Sequence, residues 1–228
     1  MKKNLSLKHL YAPPARAYEG GRKNPLLVLV HGYGADENDL YSLAGEFPDV
    51  FHVVAPRAPI DLAWGGAAWY SLDFTNGEKF TCETEAVAAR DILHTFINEA
   101  VEAYDADPAN VWYLGFSQGA ILGYGIMTTY PHRVRYFMPL SGYLEKSIVN
   151  YNVSPEDLCG IKVFATHGQV DPVIPVQWAR LVKPFMESKG VDFTYNEYYM
   201  GHGIHPSGLS LMRGWVDENL QKDNEINF

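Results

Sequence analysis

Val111-Trp112-Tyr113-Leu114-Gly115-Phe116-Ser117-Gln118-Gly119-Ala120-Ile121-Leu122 joins an apolar run, a serine between two glycines and the start of a helical pattern. The run is short and apolar on both faces, as in a buried parallel strand. The stretch after Ser117 has helical spacing, so the serine falls on a tight strand-to-helix turn. Bulky neighbours would collide in such a turn, which explains glycine at 115 and 119. A serine there stands exposed at a helix N-terminus, where the dipole favours developing negative charge. The plainer reading, a serine that only caps a helix, accounts for neither glycine.

Outward from this turn, strand-like and helix-like segments alternate. Apolar runs at 26–30, 51–55, 111–115, 136–140 and 161–166 are predicted strands, and 193–199 is a more polar, outer one. Helical patterns lie at 84–104, 118–130, 176–189 and 206–220. Alternation along the whole chain predicts an α/β fold with one mostly parallel sheet and helices on both faces. No repeat or linker interrupts it, so residues 1–228 read as one domain. The irregular stretch is 56–80, rich in proline, glycine and large aromatics. A long loop of that kind in a compact domain is either functional or poorly ordered, and the aromatics favour function.

A serine at neutral pH needs a base, and the base needs an orienting group. Where a serine sits on such a strand-to-helix turn, the acid and then the histidine follow it along the chain, each after a later strand. Asp171 fits the acid, in His167-Gly168-Gln169-Val170-Asp171-Pro172 beyond the predicted strand 161–166. Asp157 competes, but lies before that strand and so at the other end of the sheet. His202 fits the base, in Met200-Gly201-His202-Gly203-Ile204-His205 after the last strand. His205 is its rival and directly precedes Pro206 and the final helix, where a capping or surface role is expected. His31 and His167, beside glycines at strand ends, read as packing or loop-fixing residues. An oxyanion would need two backbone N–H groups. Gln118 supplies one, and Tyr33, in His31-Gly32-Tyr33-Gly34 after the first buried strand, supplies the other.

The composition excludes several classes. The chain has 228 residues with 47% hydrophobic and 20% charged, an ordinary globular balance. Its net charge of −9 gives no basic footprint for nucleic acid. No apolar run reaches the roughly 20 residues that span a membrane. The start, Met1-Lys2-Lys3-Asn4-Leu5-Ser6, lacks an apolar core and does not read as a signal peptide. Two cysteines, Cys82 and Cys159, fit a reducing compartment, so a cytoplasmic location is expected.

Six ordered blocks resemble the phospholipase/carboxylesterase family, which includes the acyl-protein thioesterases and small bacterial carboxylesterases. They are His31-Gly32-Tyr33-Gly34, Pro56-Arg57-Ala58-Pro59, Trp69-Tyr70, Gly115 to Ala120, His167 to Pro175 and Met200-Gly201-His202. The stretch Ala35-Asp36-Glu37-Asn38-Asp39-Leu40 looks like the bacterial branch. The resemblance implies an α/β-hydrolase that acts on small ester or thioester substrates without a cofactor. It points to Ser117, Asp171 and His202, with oxyanion donors at Tyr33 and Gln118. It also implies that Trp69 lies near the acyl site. The chain departs from the pattern at Gly123 and Gly125, inside the predicted helix after the serine, and at Gly203 and His205-Pro206.

Two other classes compete. A peptidase or amidase on this scaffold would usually carry a cap or propeller domain, for which 228 residues leave no room. A non-catalytic relative would usually have lost one of the three residues, and all are present. A cap is also excluded by length: only 141–160 separates two predicted strands at the usual insertion point, too few residues for a core of their own. The expectation is an open groove walled by 56–80, with Trp69 and Tyr70 offering apolar surface to an acyl chain.

Overall fold

The structure, a computed structural model, describes residues 3–73 and 80–225. Part of the 56–80 loop, residues 74–79, lies outside the described residues. The order of elements is β1 (His9–Ala12), β2 (Leu26–Val30), α1 (Asn38–Tyr41), β3 (His52–Pro56), β4 (Ile60–Asp61), β5 (Ala67–Ala68), β6 (Leu72–Asp73) and β7 (Phe80–Thr81). Next come α2 (Glu83–Ala103), β8 (Val111–Phe116), α3 (Gln118–Thr129), β9 (Tyr136–Leu140) and β10 (Lys162–Gly168). The chain continues through α4 (Val176–Arg180), α5 (Val182–Ser188), β11 (Asp192–Tyr198) and α6 (Pro206–Glu225).

Seven strands form the main sheet in the order β1-β3-β2-β8-β9-β10-β11. All neighbours are parallel except β1, which pairs antiparallel with β3. The apolar runs are buried because both faces are covered. Along β2, Leu26, Val28 and Val30 join the core under α2 and α3, while Leu27 and Leu29 join the core under α6. That alternation is the period-2 geometry of a strand between two helical layers. Trp112 stacks on Tyr136 at 3.8 Å, and Trp215 of α6 meets both edge-on at 5.8 and 5.9 Å. Thus α6, which follows the His202 loop, is anchored across two central strands.

Two differences from the sequence reading, and one departure from the family pattern, have local causes. β1 carries polar His9 at its start and pairs with one neighbour only, so no apolar run marks it. The predicted helix 176–189 divides at Leu181 into α4 and α5. Pro184 has no N–H to offer the carbonyl of Arg180, and its ring crowds that carbonyl. Gly123 is a packing requirement, because a Cβ there would stand 2.4 Å from Phe137 Cε2 and 2.8 Å from Tyr113 Cε1. The glycine lets α3 lie directly on β8 and β9.

The 35–40 and 56–59 blocks meet through charge. The buried Glu37 carboxylate takes Lys8 Nζ at 2.7 Å and an Arg57 nitrogen at 3.1 Å. Arg57 also donates to Asp61 at 2.7 Å and to the Gly66 carbonyl at 3.1 Å. Burial alone would push the Glu37 carboxyl up, but Lys8, a backbone N–H and Arg57 outweigh it and bring the pKa down to about 2. Stability from this depressed carboxyl is therefore present above its ordinary value of 4.5 and is lost as pH falls towards about 2. Across that window wild type should lose at most about 3 kcal/mol through this group. Thermal melts of wild type and Glu37→Gln at pH 5 and pH 2.5 should converge in acid. A gap between them that stays constant would contradict this account.

Candidate active site

Tyr33, Ser117, Asp171 and His202 lie beyond the carboxyl ends of β2, β8, β10 and β11, the edge where open α/β sheets place their ligands. Ser117 follows β8 with φ 53° and ψ −116°, a conformation that costs a residue with a Cβ and persists only where its surroundings enforce it. The surroundings are specific. The Ser117 N–H donates to the Leu140 carbonyl at 2.9 Å. A Cβ on Gly115 would stand 2.6 Å from the Gly119 backbone, and one on Gly119 would stand 2.1 Å from the Val30 carbonyl oxygen. Neither position can hold a side chain while the turn keeps this shape. Among the described residues, Ser117 Oγ makes no hydrogen bond.

Asp171 and His202 are joined. His202 Nδ1 lies 2.7 Å from Asp171 Oδ2. A carboxylate only accepts, so Nδ1 carries the proton and Nε2 is left free to take one. The other Asp171 oxygen accepts the N–H groups of Val173 at 2.8 Å and Ile174 at 2.9 Å. Burial pushes this carboxyl up. The Ile174 and Val173 N–H groups and the His202 ring outweigh burial and hold it below its ordinary value. His167 Nε2 lies 3.5 Å from Asp171 Oδ2 and 2.8 Å from the Ile174 carbonyl, so it braces the turn that presents the acid.

Close backbone contact brings the acid and histidine loops together. The Gln169 N–H donates to the Tyr198 carbonyl at 2.8 Å, and the Val170 N–H to the Met200 carbonyl at 3.2 Å. A Cβ on Gly168 would sit 2.2 Å from the Gly201 carbonyl oxygen. The His202 ring rests against Phe116 at 4.8 Å, and Ser141 Oγ donates to the Gly203 carbonyl at 3.4 Å. Phe116 precedes the serine, so one segment supplies both Ser117 and a support for the histidine. The two rivals are placed elsewhere. The His205 ring stacks on Tyr198 at 4.5 Å and accepts the Ser207 N–H at the start of α6. Asp157 is exposed, and its N–H donates to Ser154 Oγ.

Near the serine, a Cβ on Gly32 would approach Ser117 Cβ to 3.1 Å, so the loop after β2 lies against the serine. Among the described residues, neither the Tyr33 N–H nor the Gln118 N–H donates to a protein acceptor. The Gln118 side chain is committed: Oε1 accepts the Trp69 N–H at 3.0 Å and Nε2 donates to the Tyr70 carbonyl at 2.8 Å. Trp69 and Tyr70 correct the sequence reading. Each is only 1% exposed, and Trp69 Nε1 donates to the His31 carbonyl at 2.9 Å. Their area is used inside the core, where they hold the loop against α3, so they offer no open apolar wall. Exposed apolar side chains instead flank the acid and the histidine in sequence: Val170, Val173 and Tyr199. Sequence reasoning also missed Gly32 and Ser141; only the small side chains beside strand ends hinted at either close approach.

A seven-stranded sheet of this order, with a strained serine at the turn from β8 into α3, defines an α/β-hydrolase. The chain matches the phospholipase/carboxylesterase family over residues 17–220, and it belongs to that family. It is a hydrolase of this esterase and thioesterase family. It is 31% identical over 179 residues to acyl-protein thioesterase 1 of Kluyveromyces lactis, covering 72% of this chain and 77% of that protein. The Bacillus cereus carboxylesterase structure superposes with a TM-score of 0.79 at 20% identity, covering 93% of this chain and 94% of that one. A carboxylesterase from Mesorhizobium loti gives 0.77 at 23% identity, with 95% and 97% covered. Among the described residues, no helix is long and apolar enough to cross a membrane.

Proposed function

We propose that this chain hydrolyses carboxylic esters or thioesters through an acyl-enzyme on Ser117. The observation that carries this reading is the Asp171–His202 hydrogen bond, whose histidine ring packs on Phe116, the residue before a serine held in a strained turn. Ser117 Oγ attacks the substrate carbonyl carbon as its proton passes to His202 Nε2. The tetrahedral oxyanion takes hydrogen bonds from the N–H groups of Tyr33 and Gln118. His202 then returns the proton to the departing alkoxide or thiolate. In the second half His202 takes a proton from water, the hydroxide attacks the acyl carbon, and the proton goes back to Ser117 as the acid leaves. Asp171 stays ionised throughout and stabilises the cationic ring. The reading keeps the cytoplasmic setting expected from the sequence.

Trp69 and Tyr70 act in this reading as supports of the site. The acyl chain meets the apolar side chains around Asp171 and His202. No cap is inserted between β9 and β10: residues 141–160 hold no helix and bury Ile148, Val149, Val153 and Leu158 in the core. In this reading access is open on the side where a cap would be inserted. A series of matched oxygen and thiol esters of increasing acyl length should show hyperbolic saturation below the solubility limit of each substrate. A rate that jumps only when the substrate forms a separate phase would reveal a moving lid and contradict the open site. Failure to cleave any member of the series would contradict the function.

A further inference from the structure

We propose that His31 is a positioning residue, whose Nδ1–H fixes the Gly32–Tyr33 peptide and so aims the Tyr33 N–H at the oxyanion. This rests on the reading of Tyr33 as an oxyanion donor. His31 is buried at the end of β2, and both ring nitrogens are engaged. The Ala58 N–H donates to Nε2 at 3.1 Å. An N–H needs an acceptor, so Nε2 carries no proton. The one proton of the neutral ring is then on Nδ1, which lies 2.8 Å from the Gly32 carbonyl oxygen and donates to it.

That carbonyl and the Tyr33 N–H belong to one peptide unit. No described peptide bond is cis, so the two point in opposite directions across a rigid plane. Holding the Gly32 oxygen thus sets the direction of the Tyr33 N–H. The Ala35 N–H also reaches the Gly32 oxygen, but at 3.4 Å, so the imidazole makes the shorter contact. The ring is itself held in place. Trp69 Nε1 donates to the His31 carbonyl at 2.9 Å, and the two rings lie 5.5 Å apart. Burial keeps the imidazole below its ordinary pKa, which favours the neutral form that these two bonds require. Preorganised donors are effective because they need no reorientation as charge develops.

Two substitutions separate orientation from packing. Asparagine can place its amide nitrogen near the position of Nδ1 and keep a donor to the Gly32 oxygen. Glutamine can place an oxygen near Nε2, keeping the acceptor for Ala58 and losing that donor. Glutamine is closer to histidine in size, so a packing role predicts that His31→Gln retains more activity. The orientation role predicts the opposite. His31→Gln should lose about 10- to 100-fold in kcat with KM little changed, and His31→Asn should restore most of it. Affinity for a trifluoromethyl ketone, which forms the tetrahedral adduct, should follow kcat.

In wild type, long-range proton–nitrogen NMR of labelled histidine should show His31 as the neutral Nδ1–H form, a readout that needs no variant to fold. The reading beneath the proposal is tested separately, by replacing Tyr33 in the full chain with its α-hydroxy acid. That change removes the N–H and keeps the side chain, and kcat should fall by about 100-fold or more. If kcat is unchanged, Tyr33 is not the donor and the His31 proposal falls with it. If kcat falls while His31→Gln stays active, or His31→Asn loses as much as His31→Gln, the His31 proposal alone is overturned. An Nε2–H form in the NMR spectrum also overturns it.

Discussion

Replacing Ser117 by alanine should lower kcat by about 10⁵-fold or more and abolish labelling by a fluorophosphonate probe, while leaving the fold intact. The chemical part follows from the mechanism, which has no other nucleophile at the end of β8. The structural part follows from what Oγ does in the resting protein. It hydrogen-bonds to no other described group, so its loss leaves no buried partner unsatisfied. Alanine also keeps the Cβ and therefore the same backbone strain at φ 53°. Thermal melts of the variant should overlay those of wild type. Labelling that persisted in Ser117→Ala would place the nucleophile elsewhere. A variant that was inactive because it had unfolded would show instead that the serine is structural.

The second large effect is at the base. His202→Ala should lower kcat by about 10⁴- to 10⁶-fold, because the serine loses its proton acceptor and the leaving group its donor. Asp171→Asn should lose about 10⁴-fold, since an amide can donate to Nδ1 and so leave the ring proton on Nε2, the nitrogen needed as base. His205→Ala removes only the stack on Tyr198 and the bond to the Ser207 N–H, and should keep most activity. Asp157→Asn changes an exposed side chain and should be neutral. Steady-state rates for these four variants on one ester decide the matter. A damaged His205→Ala beside an active His202→Ala would reassign the base, and the equivalent reversal at 157 and 171 would reassign the acid.

Much of this molecule is legible in one dimension. Apolar runs such as 26–30 and 136–140 must be buried on both faces, and alternation with helical spacing leaves few folds that can do so. Gly115 and Gly119 flank Ser117 because the turn has no volume for side chains, and that requirement is local enough to appear as a five-residue pattern. The order of Ser117, Asp171 and His202 along the chain follows from each lying after a strand of one parallel sheet. What the sequence could not decide is where side chains point once distant segments meet. Trp69 and Tyr70 look like apolar wall in a loop of large aromatics, yet Gln118, 49 residues from Trp69, draws that loop inward and buries them. The need for glycine at 168 is likewise set by a distant segment, because the Gly201 carbonyl oxygen lies 2.2 Å from where its Cβ would be. Nothing local in the sequence pairs Glu37 with Arg57, 20 residues apart; the pair forms when the loops that carry them pack together. Periodicity and local sterics are written residue by residue, whereas burial of a loop and the partner of a polar group depend on segments far apart in the chain, and these are fixed only when the whole core closes.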